Sequence, residues 1–102
     1  MSLPQHGFAR ISTWRLTNRS ETSATFTLTP EDLDSTSKAL WDSDFKLVYT
    51  VTLEENALMN EFEVHNPGTS EFQCNVLLHT YLRVAVILQL ISLIAERFGN
   101  CC

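Results

Sequence analysis

The chain carries little positive charge: seven Lys and Arg, set singly, against twelve Asp and Glu, for a net charge of −5 over 102 residues. With no basic stripe to release counterions, a nucleic-acid or anionic-membrane surface is not expected, and any anion bound here must be small and held locally. Cysteine is sparse and odd in number. Cys74 falls in a strand-like apolar row and reads as a small core residue, while Cys101 and Cys102 read as a frayed tail rather than a redox or metal site. The opening Met1-Ser2-Leu3-Pro4-Gln5-His6 lacks both the basic and the apolar region of a signal peptide, so a reducing cytoplasm is the expected setting. There is no repeat, nucleophile elbow, glycine-rich phosphate loop or metal-ligand cluster.

What is present is ordinary globular material. Hydrophobic residues make up 44% of the chain, enough to exclude wholesale disorder, and the length suits one modest domain. Period-two patterning dominates the first eighty or so residues. Between Thr22 and Thr29, Ala24, Phe26 and Leu28 alternate with Thr25 and Thr27. From Phe45 to Leu53, Phe45, Leu47, Tyr49, Val51 and Leu53 alternate with Lys46, Thr50 and Thr52. Leu58, Phe62 and Val64 then alternate with Met59, Glu61 and Glu63. Threonine, valine and aromatics suit half-buried pleated surfaces, so these runs are expected as strands. Glu54-Glu55-Asn56 and Asn66-Pro67-Gly68 break them as hairpin turns do. Between Pro30 and Trp41 the alternation fails. Thr29 before Pro30-Glu31-Asp32 reads as an N-cap, a proline in the first turn and acids at the positive dipole end, which predicts a short helical turn or ordered loop.

A further strand is expected from Phe72. Its core face carries Phe72, Cys74, Val76, Leu78 and Leu82; its other face carries Gln73, Asn75, Leu77, His79, Tyr81 and Arg83. Such a polar face can floor a carbohydrate cleft, and it can equally face water. After Arg83 the character changes: Val84 to Phe98 is nearly all aliphatic, with Gln89, Ser92 and Glu96 at helical spacing. This predicts an apolar helix too short to span a bilayer, which needs roughly 20 apolar residues, with a surface that invites a partner or self-association. The expected division is a β domain over 1–83 and an apolar helical tail over 84–102.

Taken singly, His6 reads as an exposed residue near a terminus, His65 as structural, and His79 as either a satisfied sheet histidine or a functional one. Arg10 and Arg83 read as surface charges. Their contexts add more. Pro4-Gln5-His6-Gly7-Phe8-Ala9-Arg10 followed by Trp14, then Trp41-Asp42-Ser43-Asp44-Phe45, then Asn66-Pro67-Gly68, then Leu78-His79-Thr80-Tyr81 occur in that order. The four segments resemble the aldose 1-epimerase, or galactose mutarotase-like, superfamily, most closely its glucose-6-phosphate 1-epimerase branch.

The resemblance implies an all-β antiparallel sandwich of galactose mutarotase type, here incomplete, and an isomerase that needs no cofactor. Its substrate would be a hexose phosphate or free aldohexose, whose anomers interconvert by acid/base ring opening. By the same resemblance His79 is the general acid toward the ring oxygen, while Gln5, His6 and Arg10 bind substrate, Arg10 at the phosphate. Histidine suits the acid role because it titrates near neutrality, and arginine suits a phosphate because it can grip two oxygens. The chain departs from the family where Leu82 replaces a phenylalanine. The family's glutamate base, a sugar-binding aspartate and an upstream glycine-rich arginine segment are not found; only a near-normal enzymatic rate would point to another carboxylate, such as Glu61 or Glu63, as the base. The chain is therefore expected to be a truncated middle portion of the family with a tail foreign to it over 84–102, from a splice variant, a frameshift or a shortened gene model, and inactive alone. Two rival readings remain, a non-catalytic carbohydrate-binding module and an interaction fragment built on the Val84 to Phe98 segment.

Overall fold

A computed structural model describes residues 6–81 and residue 83. Its centre is one antiparallel sheet of four strands, β1 (Arg15–Arg19), β2 (Ser23–Leu28), β3 (Lys46–Glu54) and β4 (Ala57–His65), ordered β1-β2-β3-β4. A 3-10 turn (Pro30–Asp32) and a short helix α1 (Ser35–Leu40) lie between β2 and β3. The fold is thus mainly antiparallel β, as the alternation predicts. No helix among the described residues is long and apolar enough to cross a membrane.

The register sorts the side chains onto two faces. Leu28, Leu47 and Val64 stand in one row, Phe26, Tyr49 and Phe62 in the next, and these form the apolar face. Thr25, Thr50 and Glu61, and Thr27, Val48 and Glu63, form the rows of the other face. There threonine hydroxyls pair across strands, Thr25 with Thr50 at 3.2 Å and Thr17 with Thr27 at 2.9 Å. Cross-strand pairs of this kind contribute roughly 0.2–1 kcal/mol each. A one-residue slip would exchange the two faces, so burial on one side fixes the register.

β1 escapes the sequence reading because its five residues are all exposed and show no alternation. It joins the sheet through a bulge: Leu16 pairs with Phe26 and Asn18 with Thr25, leaving Thr17 unpaired between them. The Thr17 hydroxyl donates to the Thr25 carbonyl at 3.3 Å, giving the extra residue a hold of its own. The β1–β2 turn is organised by Ser20, whose hydroxyl accepts from the backbone N–H groups of Thr22 and Ser23. Glu55 and Asn56 make the two-residue turn between β3 and β4, where Glu54 pairs with Ala57.

The core occupies one end of the apolar face. Phe8, Leu28, Leu33, Phe45 and Leu47 are buried, and Trp14, Trp41, Phe62, Val64 and Phe72 pack around them. Leu28 has no exposed surface at all, whereas Leu53 at the far end of β3 remains 60% exposed. One end of the sheet is covered by the chain's own loops; the other is open.

Two expectations change. Asn66-Pro67-Gly68 is a turn but not a hairpin. The Asn66 side chain accepts from Gly68 N–H at 3.0 Å and donates to the Ser70 carbonyl at 2.9 Å, and this side-chain-braced bend carries the chain away from β4. From Phe72 onward the alternation is real in burial, with Phe72, Cys74, Val76 and Leu78 half-buried and Gln73, Asn75, Leu77 and His79 exposed, yet no strand ladder forms. Side-chain periodicity specifies which face turns inward; it does not supply a strand to pair with. The helix expected from Val84 to Phe98 lies outside the described residues.

The Thr29-Pro30-Glu31-Asp32 reading holds with an addition. The Asp32 carboxylate accepts from the Thr29 N–H at 2.9 Å and the Thr29 hydroxyl at 3.1 Å, and from Arg15 of β1 at 2.8 Å. Burial alone would raise the Asp32 carboxyl, but the Thr29 backbone N–H and the bonds and charge of Arg15 and Thr29 overcome it and hold the group below its ordinary 3.8. The Arg15 side chain is 54% exposed, so the ion pair itself is screened and contributes little. The cap is the larger part. Asp32→Ala is expected to cost about 1–2 kcal/mol near neutral pH in urea denaturation. Because the folded value is depressed, the contribution is complete above the unfolded value of 3.8 and disappears as pH falls through the lower folded value. The gap between wild type and variant should therefore close on acidification below 3.8; a gap that stays constant into acid would contradict the assignment.

Candidate functional site

Two segments distant in sequence meet over the core. The first begins with His6 and Gly7, both at positive φ (64° and 74°), and turns Phe8 down into the core. Phe8 packs against Phe45 at 5.1 Å and Trp41 at 5.8 Å between ring centroids. The following loop is pinned by three bonds: Ile11 N–H and the Ser12 hydroxyl to the Phe8 carbonyl, and the Trp14 indole N–H to the Ala9 carbonyl at 2.9 Å. The second segment is held by Phe72, whose ring meets Trp41 edge-on at 5.5 Å. Trp41 therefore joins the two loops, and such aromatic contacts are each worth about 0.5–1.5 kcal/mol beyond their buried area.

The consequence is a pair of imidazoles. The rings of His6 and His79 lie 6.0 Å apart at 57°, and Tyr81 lies 4.8 Å from His79 on its other contact, its hydroxyl 3.5 Å from Nε2. Both histidines are exposed. Arg10 is exposed on the same loop as His6 and is itself engaged by a neighbour. Gln5 lies outside the described residues. Tyr81 carries no role in the sequence reading; the signal for it is its two-residue spacing from His79, the spacing that puts alternate side chains on one face.

No carboxylate joins this pair among the described residues. Glu61 and Glu63 project from the sheet face opposite Phe62 and Val64, whereas the loops carrying the histidines pack on the Phe62 and Val64 side. Neither lies on the face of the sheet where those loops pack. His65 stands apart too, 3.7 Å from Glu63. Among the described residues no group of three or more His, Cys, Asp or Glu could hold a metal ion. An open cleft of about 360 Å³ lies elsewhere, lined by Arg15, Lys46, Glu31 and Asp44 among others, with charges of both signs and none of the paired groups.

The left-handed pair His6-Gly7 makes a direct prediction. A Cβ on Gly7 would meet nothing within 4 Å, so Gly7→Ala introduces no clash. It does introduce a side chain at φ 74°, a conformation that costs roughly 1–2 kcal/mol for an L-residue. We expect Gly7→Ala to lower stability by about that amount and to shift the imidazole proton resonances of both His6 and His79. Gly68 has no such φ, and Gly68→Ala should leave both rings unmoved. Unchanged resonances in Gly7→Ala would show that the bend does not position His6.

Residues 2–96 match the family described as aldose 1-epimerase. No solved structure matches the chain. The sheet is consistent with an incomplete all-β fold of galactose mutarotase type, and the family points to interconversion of sugar anomers, an epimerase or isomerase chemistry of carbohydrate metabolism. The match takes in all four strands and both histidine segments, and the chain belongs to the aldose 1-epimerase family.

Proposed function

We propose that the His6–His79 pair is the sugar end of a site for an aldohexose 6-phosphate, with His79 the general acid in anomer interconversion. The observation that carries this reading is the 6.0 Å approach of two imidazoles from opposite ends of the described chain. A core needs no such pair, since both rings are exposed and neither contributes to packing. Mutarotation needs one group to protonate the ring oxygen as another removes the anomeric hydroxyl proton. The C1–O5 bond then breaks, the aldehyde rotates about C1–C2, and closure on the other face returns both protons. An exposed imidazole can supply the first of these near neutral pH. His6 and Arg10 bind the substrate, Arg10 at the phosphate, because a guanidinium matches two phosphate oxygens and the neighbouring Gly7 and Ala9 leave room beside it.

The acid has no carboxylate partner among the described residues. A missing proton-transfer group typically costs about 10²- to 10⁴-fold in rate, so slow turnover is expected of the 102-residue chain. The same observation favours a second reading, sugar binding without catalysis, in which ligand raises the melting temperature and no anomer exchange appears above background.

Both readings share one test. Titrating the chain with glucose 6-phosphate and with glucose, followed by NMR, should show tighter binding of the phosphate. Arg10→Ala should weaken glucose 6-phosphate by roughly 10- to 100-fold, the worth of a charge-assisted hydrogen bond, and affect glucose much less. His79→Asn should slow anomer exchange of both sugars while leaving their affinities nearly unchanged. An equal loss for both sugars in Arg10→Ala would remove the phosphate role from Arg10.

A further inference from the structure

We propose that Tyr81 is a positioning residue for His79, fixing which nitrogen of the neutral ring carries the proton. Tyr81 follows His79 by two residues, and the contact between their rings puts both side chains on the same side of the backbone. The rings lie 4.8 Å apart at 36°, and the phenol oxygen reaches Nε2 at 3.5 Å. Tyr81 is 86% exposed, so its ring is not held there by burial. Among the described residues the phenol is the one polar group bonded to either nitrogen of His79; the contact with His6 is ring to ring.

The direction of that bond follows from chemistry. A neutral imidazole has one bare nitrogen, which is a good acceptor, and one N–H. A phenol is a better donor than an imidazole N–H. The favoured arrangement is Tyr81 O–H donating to bare Nε2, which leaves the ring proton on Nδ1. An isolated imidazole in water prefers the opposite tautomer, with the proton on Nε2. Tyr81 therefore works against the intrinsic preference, and its effect can be read.

The consequence for the reaction rests on the reading of His79 as the acid. The hydroxyl occupies the single in-plane site of Nε2, so the imidazolium gives its Nδ1 proton to the sugar ring oxygen, and the Nε2–H it keeps donates to the Tyr81 oxygen. The hydroxyl so leaves Nδ1 as the nitrogen through which the proton departs and returns. The tautomer itself does not depend on any sugar. It is read in the resting protein, so failure here and failure of the epimerase reading are separate results.

The test is a long-range proton–nitrogen correlation spectrum of the ¹⁵N-labelled chain, about two pH units above the ordinary imidazole value of about 6.5. His79 is assigned by the signals lost in His79→Gln, with His6 and His65 as internal references. The expected result is a His79 ring with Nδ1–H at least as populated as Nε2–H, against the excess of Nε2–H in an isolated imidazole. In Tyr81→Phe, which keeps the ring and removes the hydroxyl, the ratio of Nδ1–H to Nε2–H should fall about fivefold, the factor for one neutral hydrogen bond. Because Tyr81 is 86% exposed, neither this variant nor Tyr81→Ala should disturb folding, and Tyr81→Ala should give the same ratio as Tyr81→Phe. A wild-type ring mostly protonated on Nε2 overturns the proposal, and so does a ratio unchanged in Tyr81→Phe.

Discussion

Everything at the functional end of this molecule depends on Trp41 as an aromatic joint. Its indole meets both Phe8 and Phe72, so the two loops that carry His6 and His79 are clamped to the same end of the sheet. The joint carries a cost. The Trp41 indole N–H is buried with no hydrogen-bond partner among the described residues, a penalty of roughly 1–3 kcal/mol. Retaining a tryptophan despite that penalty is consistent with its ring area, large enough to touch both loops, being what matters. Without it Phe8 would still rest on Phe45, but Phe72 would lose its ring partner, and His79 its registration with His6.

The sheet beneath explains why the joint sits at one end. Its apolar face is buried where Leu28, Leu47 and Phe45 gather and open where Leu53 ends β3. Its other face is a threonine surface tied by hydroxyl pairs, with Glu61 and Glu63 along the β4 edge. Exposed charges on an edge strand discourage pairing with other chains. Loops with large aromatic side chains therefore have one place to dock, and the short turn and helix after β2 complete that end through Leu33 and the Asp32 cap.

Much of this was legible in the sequence because its signals are local. β2, β3 and β4 follow from alternating apolar and threonine or glutamate residues, and the turn at Pro30 follows from a cap, a proline and an acid in order. β1 was not legible: its five residues are exposed, and it belongs to the sheet through backbone pairing and the Thr17 hydroxyl rather than through a buried row. The Phe72 segment was half legible. Its inward and outward residues alternate as expected, but a ladder needs a partner strand, which no residue of the segment itself encodes. Of the site, His6, Arg10 and His79 came from family-like segments. The approach of the two imidazoles, the place of Tyr81 and the separation of Glu61 and Glu63 from the site all depend on long-range packing through Trp41.

The account stands or falls on that packing, and nuclear Overhauser contacts between the imidazole protons of His6 and His79 test it most directly. The account predicts such contacts in the wild-type chain and their loss in Trp41→Ala, while the amide pattern of the threonine rows on β2 and β3 is retained. A folded sheet with no contact between the two imidazoles in the wild type would contradict it, as would contacts that survive the loss of Trp41.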